Sequence, residues 1–286
     1  MSASRRLNVA LFGNGHMGRH HARHLAGEAL VVVDPEQGLT PSLAELDCAV
    51  IAVPTSLHAE VAVPLLEAGI PCLVEKPLAA TLEDARRLAA YPLLSVGHIE
   101  RYNPAFRVML PVDARFVQAE RLAPFAGRSP DADVVLDLMV HDLDLFLALL
   151  PPEDRVVTEV RANGLAVRTG RVDIAHARVE TAGGRVGVFT ASRVSRAGAR
   201  HFRVMAPGVY WSLNLGIRKA HRVRWGEEQL GEEPVEVPPG DALADELAAF
   251  LAAVRSGGPF PVPGADGLAA LELALTIQAL RQKCAS

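Results

Sequence analysis

Leu7-Asn8-Val9-Ala10-Leu11-Phe12-Gly13-Asn14-Gly15-His16-Met17-Gly18 is a short apolar run that ends in GxGxxG. Leu7 to Phe12 reads as a strand and Met17 to Ala26 as a helix, so the glycines occupy a strand-to-helix turn. Each glycine has a separate duty there. The first makes the tight turn, the second lets the backbone approach a pyrophosphate, and the third lets helix and strand pack closely. The helix N-terminus adds partial positive charge. Asp34 closes the following strand, Ala29 to Val33, 16 residues past Gly18. A carboxylate at that point accepts hydrogen bonds from the adenosine ribose and repels a 2′-phosphate, which favours NAD over NADP. The alternative is a solvated turn aspartate before Pro35.

Outward from this turn, strand and helix signals alternate. Ser42 to Leu46 reads as a short helix, Cys48 to Val53 as a strand and His58 to Ala68 as a helix. Pro71 to Val74 and Leu93 to Val96 read as strands on either side of a helix at Leu82 to Ala90. This pitch implies βαβ units and a doubly wound parallel sheet over residues 1–112. Beyond 112 an apolar helix, Val134 to Leu150, precedes crowded strands at Val156 to Arg168, Val172 to Glu180, Arg185 to Arg193, His201 to Met205, Val209 to Leu215 and His221 to Trp225. Strands joined by short turns predict an antiparallel sheet, hence an α+β domain over 113–286. Helices at Asp241 to Arg255 and Gly267 to Lys283, with a Gly/Pro loop from Gly257 to Gly264 between them, close the chain.

The remaining composition excludes several classes. The chain has 286 residues, half of them hydrophobic and 22% charged, enough to bury a core. A net charge of −4 gives no footprint for nucleic acid or an anionic membrane. No apolar run is long enough to span a bilayer. Cys48, Cys72 and Cys284 lie far apart without CxxC spacing, which suits a reducing cytoplasm. Ser4-Arg5-Arg6 resembles a twin-arginine export signal, but the stretch behind it runs straight into the glycine loop and leaves no cleavable apolar region. His20 and His24 have the spacing of a two-histidine metal site, yet no third ligand is nearby, so no metal is expected; His21 is expected to pack beneath the loop.

Two further places carry chemistry. Among 29 basic residues only Lys76, Lys219 and Lys283 are lysines. Lys76 follows the strand Pro71 to Val74, at the sheet edge where ligands bind in open α/β folds. Lysine is a compact donor whose pKa falls on burial, so it can share a proton as arginine cannot; a surface lysine at a turn is the alternative. Asp137 and His141, four residues apart in an apolar helix, would project from one face. A carboxylate there can orient an imidazole for general acid/base work, or the two can form an interdomain hydrogen bond.

Taken in order, GxGxMG with an acid closing the second strand, Glu75-Lys76-Pro77 and Asp137-x-x-x-His141 resemble the Gfo/Idh/MocA oxidoreductases. Val53-Pro54-Thr55-Ser56-Leu57-His58 is similar to that family's turn after the third strand, and Gly267-Leu268-Ala269-Ala270-Leu271-Glu272 to its closing helix. The resemblance implies a Rossmann NAD-binding domain followed by an open, mostly antiparallel sheet that forms the interface of a homodimer or homotetramer. It implies that Gly13, Asn14, Gly15, His16, Met17, Gly18 and Asp34 hold the dinucleotide. Pro54, Thr55, His58, Glu75 and Lys76 would serve its nicotinamide half, with Lys76–Pro77 a cis bond. Lys76 would polarise or protonate the reacting hydroxyl oxygen and His141 would act as general acid/base, while Asp137 orients the histidine or holds a sugar hydroxyl.

Gly97-His98-Ile99-Glu100-Arg101-Tyr102-Asn103-Pro104 and Asp137-Leu138-Met139-Val140-His141-Asp142 are similar to patterns of the UDP-N-acetylglucosamine 3-dehydrogenases within that family, with Tyr102 where phenylalanine is usual. On that resemblance His98, Arg101, Tyr102 and Asn103 contact substrate. Asn103-Pro104 also reads simply as a helix cap and first residue. The reading is thus an NAD-dependent dehydrogenase of a sugar or sugar-nucleotide secondary hydroxyl. A polyol or monosaccharide dehydrogenase of the inositol type, or a dinucleotide sensor without catalysis, stands as the alternative.

Overall fold

The computed structural model describes residues 5–33, 42–125, 133–225 and 230–282; Asp34, with Ser4, Lys283 and Cys284, lies outside them. In chain order the elements are β1 (Asn8–Phe12), α1 (His16–His24), β2 (Ala29–Val33), β3 (Cys48–Ile51), α2 (His58–Glu67), β4 (Cys72–Glu75), α3 (Leu82–Ala89) and β5 (Leu94–Gly97). They continue with α4 (Pro104–Arg107), β6 (Phe116–Leu122), α5 (Val140–Leu149), β7 (Val157–Leu165), β8 (Ile174–Thr181), β9 (Val186–Ser192) and β10 (Ala199–Ala206). The chain closes with β11 (Val209–Asn214), β12 (Lys219–Trp225), β13 (Leu230–Val235), α6 (Ala242–Ser256) and α7 (Gly264–Gln282). These divide into two units, Met1–Ile99 with Asp241–Leu268, and Glu100–Gly240 with Ala269–Ser286.

The first unit is the doubly wound sheet that the alternation predicts, parallel throughout and ordered β2-β1-β3-β4-β5. The strand order reverses between β1 and β3, which places the crevice of an open α/β sheet just beyond Phe12 and Ile51. Cys48 to Ile51 is buried along its whole length, as in strands covered on both faces. Leu7, Val9 and Leu11 pack with Leu243, Leu247 and Phe250 of α6, a return of the chain to the first unit that no local sequence signal announces. Asp241 caps that helix, its Oδ1 accepting the Leu243 N–H at 3.0 Å and the Ala244 N–H at 3.3 Å.

In the second unit eight strands run β13-β12-β11-β10-β6-β9-β8-β7. All neighbours are antiparallel except β6 and β9, which pair in parallel from Phe116 opposite Val186 to Leu122 opposite Ser192. β9 and β10, consecutive in the chain, are not partners; β6 lies between them. Ala175, Ala177, Phe189, Phe202, Val204 and Leu213 line the inner face against α5 and the later part of α7 (Ala270, Leu273, Ala274, Ile277). The helix predicted over Val134 to Leu150 is present, but Val135–Met139 forms a π-helical turn before α5 begins. Among the described residues no helix is long and apolar enough to cross a membrane.

The loop between β7 and β8 is held by one carboxylate. Asp173 Oδ2 accepts the N–H groups of Val167, Arg168 and Thr169 at 2.6–2.9 Å, while Oδ1 accepts from Thr169 Oγ1 at 2.7 Å and Arg193 Nε at 2.8 Å. Burial alone would raise the Asp173 pKa; the N–H groups of Arg168 and Thr169, the Thr169 hydroxyl and the Arg193 guanidinium outweigh it and hold the carboxyl far below the usual range. A lowered native pKa means that this stabilisation is complete above the unfolded value near 4 and fades as pH falls below it. Asp173→Asn is expected to cost about 3 kcal/mol at neutral pH, because the charge-assisted bond between the carboxylate and the buried Arg193 guanidinium is lost. Urea melts across pH should show the difference from wild type shrinking as the solution is acidified.

Candidate active site

The glycine loop meets the steric demands of a dinucleotide cradle. Gly13 has φ +103°, and a Cβ on it would lie 2.5 Å from the carbonyl oxygen of Ala52. A Cβ on Gly18 would be driven into the Gly13 carbonyl. Those two glycines are therefore fixed by the protein's own packing. Gly15 is exposed, and a Cβ there would meet nothing within 4 Å, so space is left open where a pyrophosphate would approach the α1 N-terminus. Gly13 N–H donates to Val33 O at 2.9 Å, tying the loop to the end of β2. Asn14 and His16 are exposed, and Met17 is half-buried against the core.

Beside the loop, the ends of β3 and β4 carry the remaining residues assigned to the first unit. His58 is 1% exposed, and its two ring nitrogens lie 3.1 Å from Val53 O and 3.2 Å from Leu78 O. Burial pushes its pKa below the ordinary histidine value against the pull of those carbonyls. The ring thus pins the 53–58 turn to the segment after Lys76, leaving Pro54 exposed and Thr55 half-buried at the turn. Lys76–Pro77 is cis. Glu75 Oε1 lies 2.7 Å from Nε2 of fully buried His21, and its Oε2 accepts the Lys76 N–H at 3.2 Å. His21 does pack beneath the loop, and through Glu75 it joins the glycine-loop helix to the strand end that carries Lys76. Lys76 is half-buried and His98 buried.

His20 and His24, spaced for a metal, do not combine. The His20 ring stacks edge-on to His16, and His24 approaches Asp241 at 3.5 Å. Among the described residues no group of three or more His, Cys, Asp or Glu side chains could hold a metal ion.

Arg101, Tyr102, Asn103, Asp137 and His141 belong to the second unit. Arg101 grips Asp144 with two N–H bonds, of 2.6 and 2.8 Å. Asn103 spends its amide internally: Oδ1 accepts the Ala105 N–H and caps α4, while Nδ2 donates to Glu100 Oε2 and Leu215 O. Tyr102 is buried. Asp137 lies in the π-helical turn and His141 near the start of α5, both half-buried. A π turn winds more slowly than an α-helix, so the simple i, i+4 face does not carry across it unchanged.

Sequence reasoning missed the charges beneath these residues. Arg121, on the inward side of β6, bonds Asp142 at 2.7 and 3.0 Å and Glu100 at 2.8 Å. Burial alone would raise the Glu100 pKa, but Arg121 beside it holds the carboxyl below its ordinary value. A usable signal existed, since acids in an otherwise apolar helix require cationic partners. Spacing does not say which arginine supplies them.

Together, a parallel sheet with its crevice at an open glycine turn and a lysine at the adjoining strand end are the features of a dinucleotide-dependent oxidoreductase. Residues 28–91 match the family model of oxidoreductases with an NAD-binding Rossmann fold, and residues 101–206 match the GFO/IDH/MocA C-terminal domain. The UDP-N-acetylglucosamine 3-dehydrogenase of Acidithiobacillus ferrooxidans is 35% identical over 97% of this chain and 99% of its own length. A crystal form of that enzyme superposes with a TM-score of 0.88 over 96% of this chain and 98% of that one. An inositol 2-dehydrogenase of Rhizobium meliloti is 25% identical over 94% of both chains. Levoglucosan dehydrogenase in complex with NADH and L-sorbose, 19% identical, shares the fold at a TM-score of 0.81 over 98% of this chain and 97% of its own. The chain belongs to the Gfo/Idh/MocA family of oxidoreductases.

Two glycine variants separate packing from ligand approach. Gly18→Ala should destabilise by about 2 kcal/mol or more, because the new methyl meets backbone. Gly15→Ala should leave the melting temperature nearly unchanged, since an exposed substitution is worth about 0.5 kcal/mol or less. It should nevertheless weaken NADH binding by about tenfold, or about 1.4 kcal/mol. Thermal melts beside nucleotide fluorescence titrations check both.

Proposed function

We propose that this protein is an NAD-dependent dehydrogenase that oxidises a secondary ring hydroxyl of a sugar nucleotide, the 3-hydroxyl of UDP-N-acetylglucosamine. The observation that carries the proposal is the pair of segments Gly97–Pro104 and Asp137–Asp142, in a chain similar over nearly its full length to an enzyme of that name. The preference for NAD rests on Asp34, whose carboxylate disfavours a 2′-phosphate.

The Gly13–Gly18 cradle would hold the pyrophosphate of the dinucleotide, whose nicotinamide would supply the hydride acceptor. Asn14, His16 and Met17 shape that cradle, and Pro54, Thr55 and Glu75 border its nicotinamide end, with His58 and His21 fixing them from beneath. Lys76 donates a hydrogen bond to the reacting oxygen and stabilises the charge that develops on it. His141 takes the hydroxyl proton, with Asp137 orienting the imidazole or a neighbouring sugar hydroxyl. Substrate contact by His98, Arg101, Tyr102 and Asn103 is proposed on the resemblance of Gly97–Pro104 alone, with Arg101 held by Asp144 and the Asn103 amide bonded within its own unit. The second unit carries substrate binding and assembly. A homodimer or homotetramer through the outer face of its sheet is supported by the half-buried row Phe116, Val186, Met205 and Tyr210 on neighbouring strands. The scattered cysteines suit the cytoplasm.

Purified protein mixed with NAD and, separately, UDP-N-acetylglucosamine, UDP-glucose, myo-inositol or glucose tests the reading through the absorbance of reduced nicotinamide. Reduction with UDP-N-acetylglucosamine is the expected result. Reduction with myo-inositol alone would select the polyol reading that the inositol 2-dehydrogenase similarity favours. No reduction by any of them, with NAD bound, would point to an enzyme that recycles its bound cofactor with a second substrate or to a dinucleotide sensor. Lys76→Ala should abolish turnover and leave NAD affinity within about twofold, since the glycine cradle is untouched; loss of NAD binding alone would contradict the role given to Lys76.

A further inference from the structure

His141 is followed in α5 by two buried carboxylates, Asp142 at 3% and Asp144 at 1% exposure. Each is gripped by a different guanidinium in a two-point pair: Arg121 on Asp142, Arg101 on Asp144. Such a fork fixes direction as well as distance, because both N–H bonds must stay nearly parallel. Residues two apart on an α-helix point about 200° apart. The two forks therefore hold this turn from different sides and oppose both rolling and sliding.

Arg121 is itself immobilised. It rises from the inward side of β6, in the middle of the sheet, and its third nitrogen donates to Glu100 Oε1 at 2.8 Å. Glu100 in turn accepts from Asn103 Nδ2 at 2.9 Å and Arg200 Nη1 at 3.3 Å. Val140, Leu143, Phe146 and Leu147 already bury α5 by apolar contact. Apolar residues in place of buried ions often stabilise a fold as well or better. What apolar contact does not supply is a fixed orientation.

We propose that Arg121 is a positioning residue for the dehydrogenase reaction: by fixing Asp142 it sets the orientation of the turn of α5 that presents His141. The inference rests on the general acid/base role proposed for His141. Arg121→Lys retains the charge and loses the fork. With NAD and UDP-N-acetylglucosamine it should lower kcat by about 10- to 100-fold, the effect of displacing a reacting group by about an ångström. NADH affinity should change by less than about twofold, because nothing in the first unit is altered. In a His141→Gln background, adding Arg121→Lys should change the residual rate by less than about twofold, since residues acting as a unit are not additive.

An Arg121→Lys kcat within about twofold of wild type, or a full further loss on top of His141→Gln, overturns the inference. Should Arg121→Lys fail to fold, Asp142→Asn takes its place with the same expected pattern. His141→Gln alone separates the two layers. If it keeps wild-type kcat, the role of His141 falls and this inference with it; if it abolishes turnover while Arg121→Lys is silent, only the positioning role is lost.

Discussion

A guanidinium withdrawn from water has to be neutralised where it stands, and the second unit is organised by that requirement. Arg121, Arg185 and Arg193 are all buried. Arg121 meets Asp142 and Glu100, while Arg185 meets Asp113, Asp154 at 2.9 Å and the Ala114 carbonyl at 2.7 Å. Arg193 meets Asp173 and the Thr169 hydroxyl. In each case an arginine on or beside a strand reaches a segment outside the sheet: the start of α5, the 151–155 connection, the loop before β8. Hydrophobic burial holds these segments against the sheet, and the directional bonds of the three guanidiniums restrict how they can turn.

The first unit solves its positioning problem with smaller groups. A side chain on Gly18 would strike the Gly13 carbonyl, so only glycine lets helix and turn pack this closely. His21, one helical turn further on, carries that arrangement to Glu75 and so to the residue beside it, Lys76. Cradle and strand end are thus two ends of one hydrogen-bonded path. Their alignment does not depend on loop conformation alone.

What could be read from the chain follows from the range of the interactions. The βαβ alternation and the glycine turn are local signals, and the parallel sheet follows them closely. β6 escaped notice because Arg121 occupies an inward position, so Phe116 to Leu122 lacks the clean apolar alternation of a half-buried strand. β13 escaped notice as well, because Glu232, Glu233 and Pro234 at the sheet edge leave it no apolar alternation. The π-helical turn before His141 leaves no mark in the residue pattern, nor does the return of α6 to the first unit. Of the candidate site residues, Lys76 and His141 stand out by type and place; the buried partners that hold their neighbourhood are long-range pairs and cannot be found by spacing.

The place of β6 also bears on how the second sheet comes together. β7, β8 and β9 form one meander and β10 to β13 another, each pairing strands that are neighbours in the chain, contacts that close quickly. Neither meander pairs with the other. Both bond only to β6, which precedes them in the chain and meets β9 across the long separation from Phe116 to Val186. Joining them waits on the long-range pairings of β6, whose loop-closure entropy is larger than that within either meander. A defect in β6 would leave two locally formed ribbons with exposed edges, open to pairing with other chains.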